Sequence, residues 1–76
     1  MNAVAFDSST LASASYDSAT SVLELCFCNG SVYRYFAIPA SMFHSLVLAQ
    51  SKGTFFNTEI KEHFPFVRIA GRSTSR

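Results

Sequence analysis

Asn29-Gly30, standing between two runs rich in β-branched and aromatic residues, Val22–Phe27 and Ser31–Phe36, commits the middle of this chain to an antiparallel hairpin. Two registers compete. A two-residue loop pairs Cys28 with Ser31 and Leu25 with Arg34, so Leu23, Leu25 and Phe27 share a face with a guanidinium. A three-residue loop, Cys28-Asn29-Gly30 with Gly30 left-handed as a bulge, pairs Phe27 with Ser31, Leu25 with Tyr33 and Leu23 with Tyr35. Glu24 then lies opposite Arg34 on the other face, a cross-strand ion pair contributing roughly 0.2–1 kcal/mol. The bulged register is the one expected, because a one-residue slip moves the whole apolar set to the wrong face.

Around the hairpin the chain reads as a small α+β domain. Leu11–Tyr16 is expected as a first strand, ended by the turn chemistry of Asp17-Ser18-Ala19-Thr20-Ser21. Ile38-Pro39 sets a boundary, since proline suits a first helical turn and holds the residue before it extended. A helix follows over about Pro39–Ala49, with Met42, Phe43, Leu46, Val47 and Ala49 forming an apolar stripe at spacings of three and four. Ser51-Lys52-Gly53 breaks it, and a second helix is expected over about Thr54–His63, capped near Thr54. Phe64-Pro65 ends that helix, and Phe66-Val67-Arg68-Ile69 alternates like a short terminal strand. The expectation is thus a three-stranded antiparallel sheet with two helices on one face. Residues 1–10 and 70–76 are expected to be loose ends of one domain spanning 11–69.

A chain of 76 residues buries only roughly 60–65% of its unfolded surface, so the core is small. Eight Phe and three Tyr nevertheless supply large apolar side chains, each worth roughly 1.5–3 kcal/mol when buried. No metal or disulfide is needed for folding. Cys26 and Cys28, one residue apart on a strand, cannot bridge without severe strain, which fits a reducing cytoplasm. No basic and apolar leader opens the chain, and no run approaches the roughly 18 apolar residues that span a bilayer, so a cytoplasmic protein without a membrane role is expected.

Net charge is +1, unevenly spread. The first half sets Arg34 against Asp7, Asp17 and Glu24, whereas the second sets Lys52, Lys61, Arg68, Arg72 and Arg76 against Glu59 and Glu62. A modest positive surface for phosphate is one reading, and an ordinary solvated surface the other.

Taken together, Tyr16-Asp17, then Leu23-x-Leu25-x-Phe27-x-x-Gly30-x-x-Tyr33-x-Tyr35-x-x-Ile38-Pro39, then Leu46-x-x-Ala49-x-Ser51-x-Gly53-x-Phe55-Phe56-Asn57-x-x-Ile60-Lys61 resembles the KTSC domain. That family is named for a domain at the C-terminus of some lysyl-tRNA synthetases and also occurs as small stand-alone bacterial and phage proteins. The resemblance implies a domain of unestablished function, with RNA binding suggested by the synthetase association, and a Tyr-x-Tyr hallmark matched here by Tyr33 and Tyr35. Phe27, Gly30, Pro39, Gly53 and Asn57 match the rest of the pattern. Phe55 departs from it where the family usually has Tyr, and His63-Phe64 where a basic residue and Tyr are common.

Chemistry beyond packing has few candidates. The bulged register turns Tyr33 and Tyr35 toward the core, which leaves Arg34 and Phe36 on the opposite face for stacking and phosphate contact. Lys52, Lys61 and Arg68 complete the candidate nucleic-acid contacts, with backbone amides at the start of the second helix as a phosphate site. Cys26, Cys28, His44 and His63 have neither the two-to-four-residue gap of a zinc site nor the proximity of a nucleophile and its base, so no catalytic, metal or cofactor site is expected. The functional expectation is a non-enzymatic binding module for RNA or single-stranded nucleic acid. The alternative is a homodimer or other protein partner on the sheet face around Phe36.

Overall fold

The computed structural model describes residues 2–70, and they form one antiparallel sheet of five strands in chain order, β1 (Asn2–Ala5), β2 (Leu11–Asp17), β3 (Val22–Phe27), β4 (Val32–Tyr35) and β5 (Phe66–Ala70). Helix α1 (Ala40–Leu48) and the short α2 (Lys52–Phe55) fall between β4 and β5, and α2 runs directly into a π-helical turn, Phe56–Ile60. The class is α+β, as the residue pattern requires, but with five strands instead of three.

The central hairpin has the bulged register. Leu23 pairs with Tyr35, Glu24 with Arg34 and Leu25 with Tyr33. Gly30 takes φ 94°, its N–H donates to the Phe27 carbonyl at 3.0 Å, and the Asn29 side chain accepts from the Ser31 N–H at 2.9 Å. Arg34 and Glu24 meet at 2.8 Å. The charge conflict of the alternative register therefore decides the alignment, and the alignment sends Leu23, Leu25 and Tyr35 into the core.

Two strands lie outside the expected sheet. β1 forms within the segment read as a loose N-terminus, pairing Val4 with Ala14 and Ala5 with Ser13. Its small residues carry almost no periodicity, so backbone pairing along the edge of β2 makes the strand. β5 extends the expected Phe66–Ile69 segment to Ala70, pairing Tyr35 with Phe66 and Tyr33 with Arg68, with a bulge at Ile69. The expected tail after Ala70 lies outside the described residues.

The helices cover the sheet face that carries Tyr16, Leu23, Leu25 and Tyr35. Phe43 and Leu46 of α1 are buried there, and the Phe43 ring stacks on Tyr16 at 5.0 Å. The Tyr16 hydroxyl donates to the buried Ile38 carbonyl at 2.6 Å, which satisfies both groups where the chain leaves the sheet for α1.

The second helix begins earlier and ends earlier than the expected Thr54–His63. Ser51 is its cap, accepting from the Thr54 N–H at 3.2 Å. Gly53 then packs against the β1–β2 connection, where an added Cβ would lie 2.8 Å from Thr10 Oγ1 and 3.1 Å from Thr10 Cβ. Gly53→Ala gains up to about 1 kcal/mol of helix propensity, but overpacking costs about 1–3 kcal/mol. A net loss of about 1 kcal/mol, or roughly 4–8 °C in melting temperature, is expected. In a Thr10→Gly background the clash disappears, and thermal melts should show the same substitution becoming stabilising.

Candidate functional site

A half-covered groove of about 550 Å³ contains the Tyr-x-Tyr strand. Its floor is the inner face of β3, β4 and β5, where the bulged hairpin aligns Phe27, Tyr33 and Tyr35 and the β4–β5 register adds Phe66. Its opposite wall comes from the π-helical turn and the residues after it: Phe56, Asn57, Lys61 and Glu62.

The π-turn explains that wall. The Lys61 N–H donates to the Phe56 carbonyl at 2.9 Å, one residue further back than in an α-helix. In an α-helix, five residues of separation place two side chains about 140° apart. The wider turn instead brings Lys61 and Glu62 back over Phe56 and Asn57, while Phe56 and Ile60 stay buried. Thr58 is tied to the preceding turn through its hydroxyl, which donates to the Thr54 carbonyl at 3.0 Å.

The floor is a connected set of rings. Tyr33 meets the Phe27 ring edge-on at 5.6 Å and lies 5.7 Å from Phe66, while Tyr35 lies 5.3 Å from Phe66 and 5.6 Å from Phe56. Such pairs add roughly 0.5–1.5 kcal/mol each beyond the area they bury. Tyr35 is 3% exposed and belongs to the core, whereas Tyr33 is only half-buried and presents ring surface to the groove. Burial, and then the neighbouring Tyr33, push the Tyr35 phenol up to about 12, so it stays a neutral donor and acceptor at physiological pH.

The candidate contacts divide among three places. Lys61 lines the groove, and Arg68, exposed on β5, is the cross-strand partner of Tyr33 on the same face. Arg34 points to the other face and is held by Glu24 through both Nε and Nη2. Phe36 is half-buried at the end of β4, its N–H donating to the Pro65 carbonyl. Lys52 serves the fold: its ammonium donates to the Val47 and Ala49 carbonyls at the end of α1 and lies 5.3 Å from the Phe6 ring centre. The four basic candidates therefore form no single patch. Phe56, Phe66 and Asn29 join the site unexpectedly; the alternation that pairs Phe66 with Arg68 on one face was the available signal for Phe66.

The second groove, about 460 Å³, lies between the β1–β2 connection and the α1–α2 junction, and the engaged Lys52 lines it. Cys26, Cys28, His44 and His63 line neither groove. Both cysteines are free, and among the described residues no three of His, Cys, Asp and Glu gather as metal ligands would. No helix of the described residues is long and apolar enough to cross a membrane.

The family model of the KTSC domain matches residues 7–64. An uncharacterised protein of Stutzerimonas stutzeri is 40% identical over 70 residues, which cover 91% of this chain and 99% of that protein. A lysine–tRNA ligase of Nostoc punctiforme is 43% identical over 56 residues, 74% of this chain but only 10% of the ligase. Among solved structures, a KTSC domain protein from Yersinia pestis superposes with a TM-score of 0.86 at 30% identity, covering 91% of this chain and 97% of its own. With the hallmark residues Phe27, Tyr33, Tyr35 and Asn57 gathered in one groove, and with these relatives, the chain belongs to the KTSC domain family.

Proposed function

We propose that this domain is a non-enzymatic binding module that takes up single-stranded RNA in the aromatic groove. The observation that carries the reading is Tyr33, a half-buried ring fixed between Phe27 and Phe66 beneath the Lys61 side of the groove. A base stacking on such a ring gains roughly 1–3 kcal/mol, whatever its identity. Asn29 and Asn57 offer amide donors and acceptors to base edges, and Lys61 and Arg68 offer cations to the backbone. Glu62, in the same lining, opposes anions and limits how far the backbone runs in that direction. The match to a tenth of a tRNA ligase supports RNA as the ligand class.

With two cations on the groove face, stacking dominates and the salt dependence is shallow. Two neutralised phosphates on a single strand give a slope of log affinity against log salt of about −1.4. Titrating a labelled single-stranded RNA by fluorescence anisotropy at several salt concentrations should return that value. Lys61→Glu and Arg68→Glu should each weaken binding and lower the slope by about 0.7, while Arg34→Ala leaves both unchanged. Absence of binding at low salt would overturn the proposal. A second reading, self-association, rests on the exposure of β5 more than on Phe36.

A further inference from the structure

Strand β5 ends the sheet, and its outer edge has no neighbour among the described residues. The direction of its backbone groups follows from its pairing with β4. Phe36 donates to the Pro65 carbonyl at 2.9 Å and Val67 pairs with Arg34, so residues 65 and 67 turn their backbone groups toward β4. Phe66 and Arg68 therefore turn theirs to the free edge. The whole strand is exposed, Phe66 at 50% and Val67 and Ile69 at 45% each. No lysine or proline interrupts it, and its one charge, Arg68, and its bulge at Ile69 leave Phe66–Arg68 a regular edge.

We propose that this edge pairs with the same edge of a second copy, antiparallel about a two-fold axis at Val67, and joins two sheets into one. A second copy is the occupant because the edge is complementary to itself in hydrogen bonding, and its one charge, Arg68, falls opposite Phe66 instead of its own counterpart. Phe66 stands opposite Arg68 of the second copy, and these are the two residues whose N–H and C=O groups face outward. Each such pair exchanges two backbone bonds, and the two-fold repeats them. Each guanidinium lies beside a Phe66 ring, a cation–π arrangement on the groove face. Val67 meets its own counterpart as the close, non-hydrogen-bonded pair on the opposite face.

Centring the axis on Phe66 keeps only one exchanging pair within the strand, and two further registers fail. Slipping by one residue sets inward side chains against outward ones. Centring the axis on Arg68 places two guanidiniums directly opposite each other, a like-charge conflict. The pairing requires nothing of RNA binding.

Disulfide trapping reads the register directly. In a Cys26→Ser/Cys28→Ser background, Val67→Cys places two sulfurs across a non-hydrogen-bonded pair with Cα atoms about 4.5 Å apart, inside the range a disulfide spans. Arg68→Cys leaves its Cα atoms about 8 Å apart in the same dimer, outside that range. Under mild oxidation the Val67→Cys chain should form covalent dimer at least about tenfold faster than the Arg68→Cys chain. Equal rates, or a faster Arg68→Cys chain, would overturn the proposal. Sedimentation of the unaltered chain should show a concentration-dependent dimer that Val67→Lys, still folded by circular dichroism, abolishes. A monomer at every concentration would equally overturn it.

Discussion

Tyr35→Ala is expected to remove about 3–5 kcal/mol of stability, the usual cost of deleting a buried aromatic ring. At roughly 0.05–0.15 kcal/mol per residue, a domain of this length has only about 4–11 kcal/mol in total, so the loss takes from about a quarter of it to all of it. Tyr35 has this weight because it joins three elements: β3 through Leu23 across the sheet, the π-turn above through Phe56, and β5 beside it through Phe66. Its loss loosens the groove floor along with the core. Urea unfolding at neutral pH measures the effect, and Tyr35→Phe, which keeps the ring, should change it little.

The same residue gives the domain an alkaline limit. The folded phenol is raised from 10.0 to about 12, by burial first and by Tyr33 second, so the fold favours the neutral form. The contribution is whole below pH 10 and is lost as pH rises through about 12, because the unfolded phenol ionises first. Over that window the unaltered chain should lose stability relative to Tyr35→Phe. Parallel urea curves at neutral pH and at pH about 11 would show it.

Tyr33→Ala should act on the ligand more than on the fold. Its ring is half-buried, so its removal costs less stability than that of Tyr35, while a lost stacking platform of roughly 1–3 kcal/mol weakens single-stranded RNA binding by roughly 5- to 150-fold. Tyr33→Phe retains the π-face and should bind within about threefold of the unaltered chain. Anisotropy titration of the three proteins at one salt concentration separates these outcomes. A Tyr33→Ala variant that binds as well as Tyr33→Phe would remove stacking from the account.

Which parts of this were legible in the sequence follows from where the determining interactions lie. The hairpin register was legible because its alternatives differ by a buried charge: only the bulge sets Glu24 against Arg34 and keeps Leu23, Leu25 and Tyr35 inward. The stripe of α1 was legible for a similar reason, since Phe43 and Leu46 repeat at helical spacing. β1 was not, because a strand of Ala and Val beside an existing edge is specified by its neighbour. The π-turn was hidden too: Phe56 and Ile60 are four apart in either helix, and the wider turn shows only in the Lys61-to-Phe56 hydrogen bond.

The site was half legible. Alternation puts Tyr33 on the inner face with Tyr35 and Arg68 on the face of Phe66, but it gives the face of a residue and not how completely the helices cover that face. The short α2 and its π-turn leave the β4–β5 end of the sheet open, and Tyr33 lies there. The engagement of Lys52 is hidden in the sequence, since its partners, the carbonyls at the end of α1, are in place only once the α1–α2 junction has folded.

Amide and aromatic chemical shifts followed during titration with a short single-stranded RNA test the central claim most directly. The account predicts that Phe27, Tyr33, Asn57, Lys61, Phe66 and Arg68 shift together along one saturating curve, while Glu24, Arg34 and Cys26 on the opposite face stay still. Shifts confined to the opposite face, or none at saturating RNA, would contradict it.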